Sequence, residues 1–248
     1  MRKLFTLVAF ALIFFASATF CTAQSDVPPP SDMQINAAAD RFHEYDYGYS
    51  IDDMIAALRP GSSNNSIVIS KTYKSHSEGD VYRPDKPARG LFSYLAEGSD
   101  DVVIGTPIKR WSYLTVGKKF VFSIYAVKLS RVLGATPRPM LAGDIIYIAR
   151  AGGILEQDGR NIRGTDPDFH LLHLNEPYVF FGTMLYPDTY KIDSQHVFLL
   201  SGEQVLESST KSYDSYKLRG KDRAALLAEI EEGLSKRDKV NQKTGSVR

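Results

Sequence analysis

Apolar residues recur three and four apart near both ends of the chain and gather into short β-branched or aromatic runs through its middle. The stretch Ser50-Ile-Asp-Asp-Met-Ile-Ala-Ala-Leu predicts a helix, with Ile51, Met54, Ile55 and Leu58 on one face. Ser50 is placed to cap it, and Asp52 and Asp53 fall in the first turn, where the helix dipole favours acids. Pro60-Gly61 ends it. Residues 33–45 predict another helix. Residues 87–97 predict a third, with Leu91, Phe92, Tyr94 and Leu95 as its apolar set, Pro87 in its first turn and Gly98 closing it. Residues 221–237 predict a closing helix whose stripe is Leu226, Leu227, Ile230 and Leu234. From Asn241 onward a frayed tail is expected.

The strand pattern begins at Ile67–Tyr73, followed by a polar segment, residues 74–86, expected as an exposed loop. Further strands are predicted at 102–108, 120–133, 143–150, 154–162 (broken by a turn), 178–186, 190–200 and 204–208. In the second of these the apolar phase changes. Phe120, Phe122 and Ile124 share one parity, and Tyr125, Val127 and Leu129 share the other, which implies a bulge or bend. Short strands with tight turns predict a mainly β (α+β) chain: an antiparallel β-barrel with helices before and after it.

The segment GDIIYIARAGGILEQDGRNI, residues 143–162, has several glycines but no G-x-G-x-x-G, and no phosphate-binding P-loop motif occurs in the chain. A dinucleotide fingerprint needs that spacing with a helix opening at its third glycine. Asp158-Gly159 is instead a hairpin turn pair. Gly152-Gly153 predicts a bend at which another backbone comes close. No cofactor is expected.

The amino terminus changes the picture of where the chain works. Arg2 and Lys3 precede an apolar run from Leu4 to Phe15, and Cys21-Thr22-Ala23 offers a small-x-small cleavage site. That is the pattern of a secretory signal peptide, and the run is short of the ~20 residues of a membrane span. The expected segments are therefore a leader at 1–23, a proline-rich linker at 24–31, an N-terminal segment packed on the barrel at 32–98, the barrel at 99–210, a helix at 211–238 and a flexible tail at 239–248. Cys21 is the sole cysteine, so an exported mature chain without disulfides must rely on its core. A lipid-anchored envelope scaffold held through Cys21 is the alternative. Thirty Lys and Arg against twenty-nine Asp and Glu leave a net charge of +1. That balance argues against a nucleic-acid partner, which calls for a strongly basic surface.

Candidate chemistry is sparse. Residues 108–120 are read as a loop joining the first two barrel strands, and they carry Lys109, Arg110, Trp111, Tyr113, Lys118 and Lys119. Aromatic rings beside cations suit sugar rings, anionic polymers or a protein partner. A glycan or protein partner, bound without catalysis in the cell envelope or extracellular space, is the expectation. A second aromatic group, Phe42, Tyr45, Tyr47 and Tyr49, is expected to pack the first helix onto the barrel. His170 and His173 are a close pair that, with His196, defines an alternative metal-dependent hydrolase. No H-E-x-x-H and no G-x-S-x-G supports it.

The segment from Asp101 to about Leu200 resembles the netrin/tissue-inhibitor type of OB-like barrel and is similar to exported bacterial proteins of the same strand order. The resemblance rests on Asp101-Val-Val-Ile-Gly at its opening, Arg131-Val-Leu-Gly134 at the end of a long strand, and Asn175-Glu-Pro-Tyr-Val-Phe-Phe-Gly182. It covers under half the chain and implies an OB-like fold. The disulfides of the animal modules are absent, so their inhibitory activity is not implied. In OB-like barrels the loop between the first two strands often binds ligand.

Overall fold

A computed structural model describes residues 27–43, 48–57, 66–70, 90–134, 139–166, 171–192, 196–207 and 221–244. The leader at 1–23 and the loop at 74–86 lie outside the described residues. In chain order, helices α1 (Asp32–Arg41) and α2 (Ile51–Ala57) precede strand β1 (Ser66–Ser70), and helix α3 (Leu91–Gly98) leads into β2 (Asp101–Leu114). Then come β3 (Val121–Gly134), β4 (Ile145–Ala151), β5 (Gly153–Gln157), β6 (Arg160–Thr165), β7 (Tyr178–Tyr186), β8 (Thr189–Lys191), β9 (Val197–Ser201), β10 (Gln204–Glu207), β11 (Lys221–Asp222) and helix α4 (Arg223–Thr244).

β2 pairs with β3 on one edge and with β7 on the other, β3 pairs with β4, β4 with β8, and β8 returns to β7. The five strands close into a β-barrel. The sheet is mixed, not antiparallel as expected, because β4 and β8 run parallel. A parallel pair needs a long connection, and here β5, β6 and β7 supply it. β9, β10 and β11 continue the sheet past β7, while β1, β6 and β5 form a separate three-stranded sheet in which β1 and β6 are also parallel.

Four further expectations are corrected. The 108–120 loop is for the most part strand: β2 runs on to Leu114, and only Thr115–Phe120 turns. The single strand at 190–200 is two, because the apolar run is interrupted by the polar residues 193–196, and β8 and β9 pair with different halves of β7. The third helix opens at Leu91 with Gly90 as its N-cap, later than expected, and Pro87 lies outside the described residues. At the other end, α4 continues through the expected tail to Thr244.

The phase change in β3 has a simple cause: both faces of this strand are covered, and every residue from Val121 to Val127 is buried. Phe122, Ile124 and Ala126 join a cluster with Ala38 and Ala39 of α1, Phe42 at its C-cap, Ile51 of α2, Ile69 of β1 and Ile162 of β6. Tyr125, Val127 and Leu129 join a second cluster with Val103, Ile146, Ile148, Tyr178, Phe180 and Tyr190, drawn from all five barrel strands. The bulges lie further along, where the β2–β3 register shifts at Val102/Val103, Ile104/Gly105 and Pro107/Lys109. A third cluster sets Phe92, Leu95 and Ala96 of α3 and Leu226, Ile230 and Leu234 of α4 against Val102, Ile104, Val179, Phe181, Phe198 and Leu200.

Local chemistry explains the ends of the elements. Ser31 and Gln34 form a reciprocal capping box on α1, with Gln34 Oε1 accepting from the Ser31 amide at 2.8 Å. Ser50 Oγ accepts from the Asp53 amide at 3.1 Å, the expected cap of α2. Asp158 (φ 51°) and Gly159 (φ 70°) are both left-handed, the geometry of a tight hairpin between β5 and β6. The close approach expected at Gly152-Gly153 is also present. At Gly152 (φ 90°) a Cβ would lie 3.3 Å from the Gly164 carbonyl, the backbone approach, whereas at Gly153 the close neighbours are side chains, Ser123 Oγ at 2.5 Å among them. Of the expected aromatic group, Phe42 does pack on the barrel, 5.3 Å from Phe122, whereas Tyr49 is 79% exposed. Tyr45 and Tyr47 lie outside the described residues.

Candidate functional site

The second half of β2 alternates, and that alternation divides the residues singled out above. Lys109, Trp111 and Tyr113 share one face, aligned across the ladder with Ala126, Ile124 and Phe122 of β3. Arg110 points the other way, aligned with Tyr125. The next strand over completes the first face, since Ala126 is aligned in turn with Tyr147 of β4. Lys109, Ala126 and Tyr147 thus form one row across three strands. The small side chain in the middle leaves space for the Tyr147 ring to approach Trp111 in the neighbouring row. Trp111 and Tyr147 meet with centroids 6.4 Å apart and planes tilted by 45°, and the Lys109 ammonium stands 5.2 Å from the Trp111 ring. An ammonium over an indole face is an attractive electrostatic contact. Trp111 and Tyr113 are half-buried, and Tyr147 is buried.

The Tyr147 hydroxyl donates to the Pro28 carbonyl at 2.9 Å. Burial raises the phenol pKa of Tyr147, and the nearby Asp188 carboxylate adds to the rise. Tyr113 is raised by burial first, then by Asp32 and by Tyr147. Both hydroxyls therefore remain protonated donors across the neutral range.

Lys118 and Lys119 belong to the turn rather than to this face. Thr115 is buried and organises the turn: its Oγ1 accepts from the amides of Lys119 and Phe120 at 3.3 and 3.2 Å. Lys118 is left-handed (φ 51°), and its ammonium reaches Asp52 of α2 at 3.3 Å. Its carbonyl accepts from the Ile51 amide at 2.8 Å. Gln157 of β5 also donates to Asp52, at 2.9 Å. The two donors hold the Asp52 carboxyl below its ordinary pKa, with Gln157 the larger cause and Lys118 next. This turn anchors α2 and the β5–β6 hairpin.

Of the six residues picked from the sequence, the structure brings Lys109, Trp111 and Tyr113 together and places Arg110, Lys118 and Lys119 elsewhere. Tyr147 and Pro28 were missed. Tyr147 reads as an ordinary residue of an apolar strand, and only the ladder register sets it beside β2. Of the histidines proposed for a metal, His173 and His196 are described, and His170 lies outside the described residues. His173 is exposed, and its amide donates to the Tyr178 hydroxyl at 2.9 Å. Among the described residues no group of three or more His, Cys, Asp or Glu could hold a metal ion, and no helix is long and apolar enough to cross a membrane. No protein-family model and no curated protein matches the chain.

Proposed function

We propose that this chain is an exported, non-catalytic binding protein of the cell envelope or extracellular space. Its barrel is OB-like, and it takes a glycan or protein ligand on the Lys109–Trp111–Tyr147 face. The strand connectivity supports the OB-like reading: the first barrel strand pairs with the second and fourth, the third with the fifth, and the fourth with the fifth. Barrels of that kind take ligands on the face of the second and third strands and in adjoining loops. This link from fold to function is an analogy, and the site must carry the argument.

The observation that carries it is the half-buried Trp111 ring, which meets both the Tyr147 ring and the Lys109 ammonium. Ring faces, a cation and phenol donors gathered in one place match the polar and apolar sides of a sugar or of a peptide. Trp111 is the only tryptophan, so its fluorescence reports this face alone. Titration with cell-wall glycans, anionic polysaccharides and peptides is expected to give a saturable change in emission that Lys109→Ala weakens. Emission that ignores every ligand would mean Trp111 serves packing alone. The export reading is tested by intact mass. A mature chain that starts at Gln24 supports cleavage, and a chain that keeps Cys21 with an added lipid supports the anchored alternative.

A further inference from the structure

Residues 27–30, Val27-Pro28-Pro29-Pro30, touch the barrel at both ends and through one carbonyl: Val27 is half-buried and Pro30 buried, while the Pro28 and Pro29 rings are exposed. Val27, Trp111 and Tyr113 each pack against the buried cluster that includes Tyr147. Ser31 continues the extended backbone (φ −67°, ψ 159°) before it caps α1. Consecutive prolines favour the extended polyproline conformation and have no amide hydrogen to donate. Such a segment offers a partner only ring faces and carbonyl acceptors. Aromatic grooves edged with hydroxyl or indole donors meet both needs. Here the Tyr147 hydroxyl donates to the Pro28 carbonyl, beside the Trp111 ring.

We propose that the Trp111–Tyr113–Tyr147 face is a groove for extended proline-rich peptide and that residues 27–30 occupy it in cis. An outside ligand of this class binds by displacing them. The proposal rests on the reading of this face as a ligand site and names its ligand class. A tethered occupant acts at an effective concentration on the order of millimolar. A free peptide making the same contacts therefore binds the native chain weakly until the strap is loosened.

The test uses the full chain and a combined Pro28→Gly, Pro29→Gly, Pro30→Gly variant. The probe is an acetylated Val-Pro-Pro-Pro-Ser peptide, with a control in which glycine replaces each proline. Trp111 emission is the readout. The strap variant is expected to bind the proline peptide about tenfold or more tightly than the native chain does. The control should give no response, and adding Tyr147→Phe should remove most of the gain. A folded strap variant that binds the peptide no better than the native chain overturns the proposal. Where the strap variant does not fold, Tyr147→Phe alone decides. It keeps the ring and removes the donor, so hydroxyl-radical footprinting should show a severalfold rise in labelling at Val27 and Pro30, the two covered residues of the strap, and unchanged labelling there overturns the proposal. A saturable glycan response with no peptide response sinks this inference and leaves the binding-face reading intact. Silence toward every probe in native and strap-loosened protein sinks both.

Discussion

A Cβ on Gly164 would lie 2.8 Å from the Val121 carbonyl, against backbone that has little freedom to move. Gly164→Val should therefore cost about 1–3 kcal/mol from overpacking, read as a lower denaturant midpoint with an unchanged slope. Ser31→Ala removes one half of a capping box and should cost about 1 kcal/mol in the same assay. Some of these single-residue roles can be read from neighbouring letters. Asp158-Gly159 announces its turn because the required φ values belong to the pair itself. The Ser31-x-x-Gln34 spacing carries a local signal too, although the proline run before it drew attention to a linker instead. Gly164 carries no such signal, because its obstacle is Val121, brought near only when β6 folds against β3. Tyr147 was illegible for the same reason.

At the scale of elements, legibility depends on whether the pattern is local. The apolar stripe of α4 was plain, and Leu226, Ile230 and Leu234 are buried against α3 and the sheet as their spacing implies. Gly233, on the same helix, lets the α3 backbone come close: a Cβ there would meet Ser93. Arg237, one turn further, donates to the Ser99 and Asp100 carbonyls at 2.9 and 3.0 Å and so ties α4 to the link between α3 and β2. Ile230→Ala should cost about 2–5 kcal/mol, seen in thermal or chemical unfolding, because the cavity it leaves lies in the middle of the helix–sheet layer. β2 was the element least well read. Lys109-Arg110 after Pro107 looks like a loop, since proline cannot donate to a ladder and paired charges suggest solvent. The chain instead places its register shift between Pro107 and Lys109 and resumes pairing, while the Pro107 carbonyl accepts from the Asn175 amide at 2.8 Å. Half of the suspected loop thereby became one face of a strand and lost three of its six residues to other roles.

At the scale of the molecule, three phenols among the described residues are raised by burial: Tyr113, Tyr147 and Tyr178. Each favours the neutral form in the fold, so its contribution is intact below the unfolded tyrosine value of about 10 and is lost as pH rises through the higher folded value. Stability should fall from about pH 10 upward, and phenolate absorbance should lag behind that of the denatured chain; coincident titration curves would contradict it. The mainly β architecture with flanking helices was legible because its alternations are local. The parallel closure of the barrel was not, since nothing in β4 or β8 names the other as neighbour. That closure, together with β1 on β6 and α3 on α4, joins segments far apart in the chain. Folding rate falls as contacts become less local, because loop entropy is lost before distant pairings compensate it. This chain should refold in milliseconds to seconds rather than microseconds, a range that stopped-flow tryptophan emission resolves. The consequence reaches back to synthesis. Phe92 and Leu95 have no helix to rest on until Leu226 and Ile230 emerge from the ribosome, so most of the chain is made before its native layers can lock. A polypeptide that must be threaded across a membrane gains from such a delay, since late locking keeps it transportable.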